Sequence, residues 1–246
     1  MRHMMIFVVV IVASALIGGA ASSTSIDVHA NRKIGALFVG DTDRHTCTAE
    51  SVHSRSGDLV LTAAHCLTGA TGPITYVPAY RASQAPFGRW TVTSVYLDPG
   101  WLTGQDVNRD YAVLRVRADP QTAHRTLESV TGRGFGIGSF GIGTAIRVVG
   151  YGAGSGDTPI GCRGRTREAR NSPTVTCRGL VDGTSGSPWM TGRATTIGLV
   201  GGYNQGGCVS FISHSPVFDA DLTALMARAD AGGPGDTAPP TGAAVC

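Results

Sequence analysis

Gly183-Thr184-Ser185-Gly186-Ser187-Pro188 sets one serine in a turn between two glycines. A serine hydroxyl is a weak nucleophile and needs a neighbouring base to take its proton. Flanking glycines allow a tight turn without side-chain crowding, so that two backbone N–H groups can aim at one developing oxyanion. Upstream, Thr62-Ala63-Ala64-His65-Cys66 offers a histidine, the side chain whose ordinary pKa suits that base. Between the two lies Asn108-Arg109-Asp110-Tyr111-Ala112-Val113-Leu114. The apolar run after Asp110 would hold its carboxylate inward, where it can fix the imidazole tautomer, and this favours Asp110 over Asp106. The constellation points to acyl transfer with His65, Asp110 and Ser185 as catalytic residues.

Outside these motifs the chain reads as β-structure. Short runs rich in Val, Ile, Thr and aromatics recur at 35–39, 59–62, 74–77, 90–97, 111–116, 145–149, 174–177, 195–200 and 208–212. None alternates with long amphipathic helices, which argues against a parallel α/β sheet. The 35 glycines lie mostly between these runs, as turns require. One helix is expected over 216–229, where Val217, Phe218, Leu222, Leu225 and Met226 recur at helical spacing and Asp219 and Asp221 suit its first turn. The glycine-dense stretch 132–143 precedes a β-type run rather than a helix, so it reads as a loop and not as a phosphate cradle.

The motifs TAAHC, RDYAVL and GTSGSP, in the order His, Asp, Ser, resemble the trypsin and chymotrypsin-like serine peptidases. The form GTSGSP resembles the bacterial secreted branch that includes the V8-type glutamyl endopeptidases. The resemblance runs from about Gly35 to Ala229, and Arg147–Gly152 and Gly198–Gly202 are similar to further family strands. It implies an all-β fold of two antiparallel six-stranded β-barrels with a C-terminal helix. It also implies a substrate cleft between the barrels, an oxyanion hole from the Gly183 and Ser185 amides, and hydrolysis of peptide bonds. Cys47–Cys66 is an expected disulfide on the same ground, Cys162–Cys177 is expected beside it, and Cys208 and Cys246 are the pair left over. An α/β-hydrolase esterase would need a second glycine in place of Ser187 and an acid and a histidine after the serine. His214 does follow, but the β-rich pattern argues against that fold.

The sequence also departs from the family's better-known members. Thr184 stands where vertebrate-type members keep an aspartate that pairs with a freed N-terminus. Gly179 stands where trypsins carry the aspartate that selects Lys or Arg, and Val200 where glutamyl endopeptidases carry a histidine. Gly179, Asp182, Val200, Gly201, Gly202 and Tyr203 are the expected substrate-binding positions. His45, His53, His124 and His214 have no motif around them and read as surface residues. Arg163, Arg165, Arg167 and Arg170 read as a solvated loop.

The N-terminus carries a polar start, an apolar stretch from Met4 to Ile17 and small residues at 18–21. This is the order of a secretory signal, and the stretch is short for a spanning helix. The expected organisation is a signal peptide at 1–21, a polar leader at 22–33 and a peptidase domain at 34–229. Within that domain the barrels are placed at 34–130 and 131–215 and the helix at 216–229, with a Gly/Pro-rich tail at 230–246. In a secreted, extracellular chain six cysteines point to disulfides, and the absence of any CxxC pair argues against zinc. The six alone allow fifteen pairings. A net charge of +3 with 15 % charged residues gives no reason to expect nucleic acid or a membrane surface as partner. The expected partners are protein or peptide substrates, met by a monomer with no metal or organic cofactor.

Overall fold

The computed structural model describes residues 26–27, 29–119, 124–153 and 157–242 of the 246. The signal-peptide assignment and Cys246 lie outside the described residues. A two-residue strand, β1 (Ile26–Asp27), pairs far ahead in the chain. Six strands then follow: β2 (Ile34–Val39), β3 (Cys47–Val52), β4 (Leu59–Thr62), β5 (Ile74–Pro78), β6 (Trp90–Leu97) and β7 (Ala112–Ala118). They close into an antiparallel barrel in the order β2-β3-β4-β7-β6-β5. Closure removes the exposed sheet edges that would otherwise need covering. Leu37, Val60, Tyr76, Trp90 and Leu114 fill the interior. A short helix, α1 (Pro99–Gly104), and a 3₁₀ turn at Val107–Arg109 carry the chain from β6 to β7.

After a second short helix, α2 (Leu127–Thr131), the other half of the molecule is one sheet. Its strands are β8 (Gly136–Ile137), β9 (Ala145–Tyr151), β10 (Pro159–Ala169), β11 (Ser172–Thr176), β12 (Pro188–Thr191), β13 (Thr195–Leu199) and β14 (Ile212–His214). The order is β14-β11-β10-β9-β12-β13-β8, with β1 joined to β10. All pairs are antiparallel except β8 with β13. Val148, Val175, Trp189 and Ile197 form the core of this half, together with the Cys162–Cys177 disulfide.

Several local expectations are corrected. Arg163, Arg165 and Arg167 are not in a loop: they lie at every second position of β10, on its exposed face. Residues 208–212 are not a strand; β14 begins at Ile212. The C-terminal helix, α3 (Ala220–Ala231), starts four residues later than expected. The Asp219 side chain caps it by accepting from Asp221 N at 3.0 Å, so the chain before it stays extended. Leu222, Leu225 and Ala229 bury one face of α3 against Tyr96, Val113 and Phe218.

His45 and His214 are not surface residues. The side chain of His45 is 7 % exposed, with its ring among Phe38, Tyr80 and Tyr151 and 3.6 Å from Asp157. It therefore sits where the two halves meet. His53 is half-exposed and pairs with Glu128 at 3.0 Å.

Beyond α3 the chain has no regular structure, yet it is held along the first barrel. Gly233 O accepts from Tyr96 Oη at 2.7 Å, and the Asp236 carboxylate accepts from Leu97 N at 2.7 Å and from Arg228. Asp236 N donates to Val95 O (2.7 Å), and Gly69 N to Pro239 O (2.9 Å). Gln105 Nε2 donates to Thr241 O at 2.7 Å.

Candidate active site

β4 ends at Thr62, and the chain turns into a 3₁₀ helix at Ala64–Leu67 that carries His65. Ala63 and Ala64 are fully buried, so their small side chains let this turn sit tight against the barrel. The Cys47–Cys66 disulfide staples it to β3. A loop of that size is worth about 3 kcal/mol in the chain-entropy view.

Asp110 lies between the 3₁₀ turn and β7 and is completely buried. Its carboxylate accepts three N–H donors: His65 Nδ1 at 2.7 Å, His65 N at 2.8 Å and Gly202 N at 2.7 Å. A buried charge is tolerable only when paired and hydrogen-bonded in this way. The Nδ1 contact assigns the ring proton to that nitrogen and leaves Nε2 as the acceptor. Asp106, the competing acid, instead caps the 3₁₀ turn by accepting from Asn108 N at 2.9 Å. Gly201 lets the backbone come close, since a Cβ there would lie 3.1 Å from Asp110 Oδ2.

Ser185 reaches the same region from the second half of the molecule. Its turn is anchored on both sides. Thr48 N of β3 donates to Ser185 O at 2.8 Å, and Gly186 N donates to Val200 O at 2.7 Å. The Thr184 hydroxyl donates to Val181 O at 2.6 Å, so this position is satisfied within its own turn. Both glycines are required. Gly183 has φ +90° and Gly186 φ +82°, where side chains are strained. A Cβ at Gly186 would overlap Thr48 O and Thr62 Oγ1 across the seam between the two halves. Among the described residues the Gly183 and Ser185 amides donate to no protein acceptor, and Ser185 Oγ has no hydrogen-bond partner.

A cleft of about 280 Å³ opens beside Ser185. Asp182 and Val200 line it. Gly179 does not: its N–H is spent on Ser210 O at 2.7 Å. Gly201 and Gly202 face Asp110 rather than the cleft. Tyr203 packs edge-on against His214 at 5.2 Å, under the Arg170 guanidinium. Leu180, Val181, Gln205, Gly206, Val209 and Ser210 are among the other wall residues and were not foreseen. The Gly206-Gly207 pair, at φ +105° and +134°, was the available signal for a turn there. His214 is bonded to Thr174 Oγ1 at 3.0 Å and burial lowers its pKa, so it takes no part in the serine's environment. Cys162 and Cys177 are joined as expected. Cys208 is also in a disulfide, and Cys246, its expected partner, is outside the described residues.

A family model described as a trypsin-like peptidase domain matches residues 47–199, more than half of the chain. Among curated proteins, the extracellular metalloprotease of Bacillus subtilis (strain 168) is 27 % identical over 104 residues, 41 % of this chain. The chain spans about a third of that relative, 32 % of its length. Among the described residues the one grouping of ligand types is Cys47, His65 and Cys66, whose sulfurs are bonded to each other. Among solved structures, protease Anisep from Arthrobacter nicotinovorans superposes with a TM-score of 0.73 at 22 % identity, covering 85 % of this chain and 100 % of that one. A Glu endopeptidase in complex with MPD gives 0.69 at 18 %, covering 85 % and 97 %. Human heparin binding protein gives 0.66 at 17 %, covering 86 % and 98 %. At these identities the likeness speaks for the fold.

Proposed function

Because the chain belongs to the trypsin-like peptidase family, we propose that it is a secreted serine endopeptidase that cleaves protein or peptide substrates through an acyl-enzyme on Ser185. The observation that carries this reading is the fully buried Asp110 carboxylate, bonded to His65 Nδ1 at 2.7 Å. A buried carboxylate on an imidazole, beside a cleft that contains an activated-serine motif, is an arrangement that has a use in acyl transfer.

In this mechanism His65 Nε2 takes the Ser185 proton as Oγ attacks the substrate carbonyl. Asp110 stabilises the imidazolium that results. The Gly183 and Ser185 amides donate to the oxyanion of the tetrahedral intermediate. His65 then returns the proton to the leaving amine, and water hydrolyses the acyl-enzyme by the reverse sequence. The Ser185–His65 contact forms as substrate closes the site, since such bonds tighten in the Michaelis complex. Export is supported by the N-terminal apolar stretch and the disulfides. No helix among the described residues is long and apolar enough to cross a membrane.

The fold also serves binding, since one of the structural neighbours is a heparin binding protein by name, so activity at Ser185 decides between the two readings. Purified protein should react with a fluorophosphonate probe at Ser185, and Ser185→Ala and His65→Ala should abolish the label. A folded wild-type chain without its leader that takes up no probe would be a binding module instead.

A further inference from the structure

Thr48 sits on β3, in the first barrel, immediately after the disulfide-bonded Cys47, and is completely buried. It makes four hydrogen bonds. Its N–H donates to Ser185 O at 2.8 Å. Its hydroxyl donates to Gly183 O at 3.1 Å and accepts from Tyr151 N at 2.8 Å. Its carbonyl accepts from the Thr62 hydroxyl at 2.8 Å. Resting on the peptidase reading above, we propose that Thr48 is a positioning residue that holds the two oxyanion donors in place.

The two amides assigned to the oxyanion belong to Gly183 and Ser185, and Thr48 grips the carbonyl of each. Gly183 needs the restraint. At φ +90° it occupies a conformation that glycine enters and leaves at little cost. Rotation of its neighbouring peptides would swing the Gly183 N–H away from the site. The Thr48 hydroxyl fixes the carbonyl end of that residue. Its own proton is directed there because Tyr151 N, at the end of β9, already occupies the oxygen as an acceptor. The hydroxyl therefore ties together three pieces of backbone from both halves of the molecule: β3, the end of β9 and the Ser185 turn. Valine would keep the shape of Thr48 and its N–H bond to Ser185. It would leave Gly183 O and Tyr151 N without partners in a dry site.

The test compares wild type, Thr48→Val and Thr48→Ser in the full chain, on one peptide substrate and one peptide boronate. The boronate forms a tetrahedral adduct on Ser185. We expect Thr48→Val to lower kcat by about tenfold or more, less than the ~10²–10³ lost when an oxyanion donor is removed outright. KM should stay within about twofold, boronate affinity should fall in step with kcat, and Thr48→Ser should recover most of both. Thr48→Ala removes the same hydroxyl without added shape and gives the same comparison if the valine variant does not fold. Thermal unfolding of each variant establishes that folded protein is being measured. A folded hydroxyl-less variant with kcat within twofold of wild type overturns the inference. So does a change in KM alone, or a serine variant as slow as valine. If wild type itself neither cleaves nor takes the boronate, the peptidase reading fails first and takes this one with it.

Discussion

Asp110 meets three N–H donors, two of them backbone, so its substitutions separate chemistry from packing. Asp110→Asn keeps the volume but permits the wrong imidazole tautomer. It should lower kcat by about 10⁴ with the fold intact, read from steady-state kinetics beside circular dichroism. Glu50 is the opposite case. It is buried on β3, neither of its carboxyl oxygens has a hydrogen-bond partner among the described residues, and burial pushes its pKa well above the ordinary carboxyl range. The folded form thus holds a proton that the unfolded form releases. Its contribution to stability is fully present below the unfolded pKa of about 4.5 and is lost as pH rises toward and through the folded value. The loss is about 1.4 kcal/mol for each pH unit in which only the folded form stays protonated. Glu50→Gln should therefore match wild type near pH 4 and exceed it increasingly toward neutrality in denaturant titrations. A constant offset between the two would remove Glu50 as the source.

At the scale of elements, the Ser185 turn and the cleft walls each carry a prediction. Gly186→Ala adds a Cβ at φ +82° against Thr48 O, on the seam between the halves. It should destabilise the protein by about 2 kcal/mol or more and cut activity, measured by thermal unfolding and substrate turnover. The cleft beside Ser185 presents Leu180, Val181, Val200 and Val209, while its one ionisable side chain, Asp182, is exposed at the rim. Burying a charge there without a partner is costly. A peptide library should show uncharged aliphatic residues preferred over Lys, Arg, Asp and Glu before the cleaved bond by about tenfold or more. Asp182→Asn should leave that order unchanged. The same elements explain what the sequence could and could not reveal. The candidate residues His65, Asp110 and Ser185 stood out because each sits in a short motif whose residues are neighbours in the chain. The β-branched strands 59–62 and 90–97 were legible by composition. β10 was not, because its Arg-Gly-Arg-Thr-Arg alternation lacks β-branched and aromatic residues on one face and draws its order from β9 and β11. β3 is rich in small and polar residues and was missed for the same reason, while β12 is four residues long and opens on Pro188, too short for a pattern to show. The walls from 205 to 210 come from left-handed turns, which no periodicity announces.

For the whole molecule, the tail after α3 is structural. Asp236 satisfies Leu97 N and pairs with Arg228, and these contacts outweigh burial to hold its pKa below the usual value. Its stabilising effect is present above the unfolded pKa of about 3.8 and is lost as pH falls through the lower folded value. Asp236→Ala should remove about 1–3 kcal/mol and lower Tm by a few degrees at neutral pH, with little difference from wild type in strong acid. The tail also sets an order in time. Ribosomes deliver the barrel strands of residues 34–118 first, but Gly69 N and Leu97 N find their partners only in residues 236–239. A nascent chain therefore carries an unfinished first barrel, with His65 and Asp110 in it, until those residues have been made. Completion of the fold is deferred until that segment has left the ribosome.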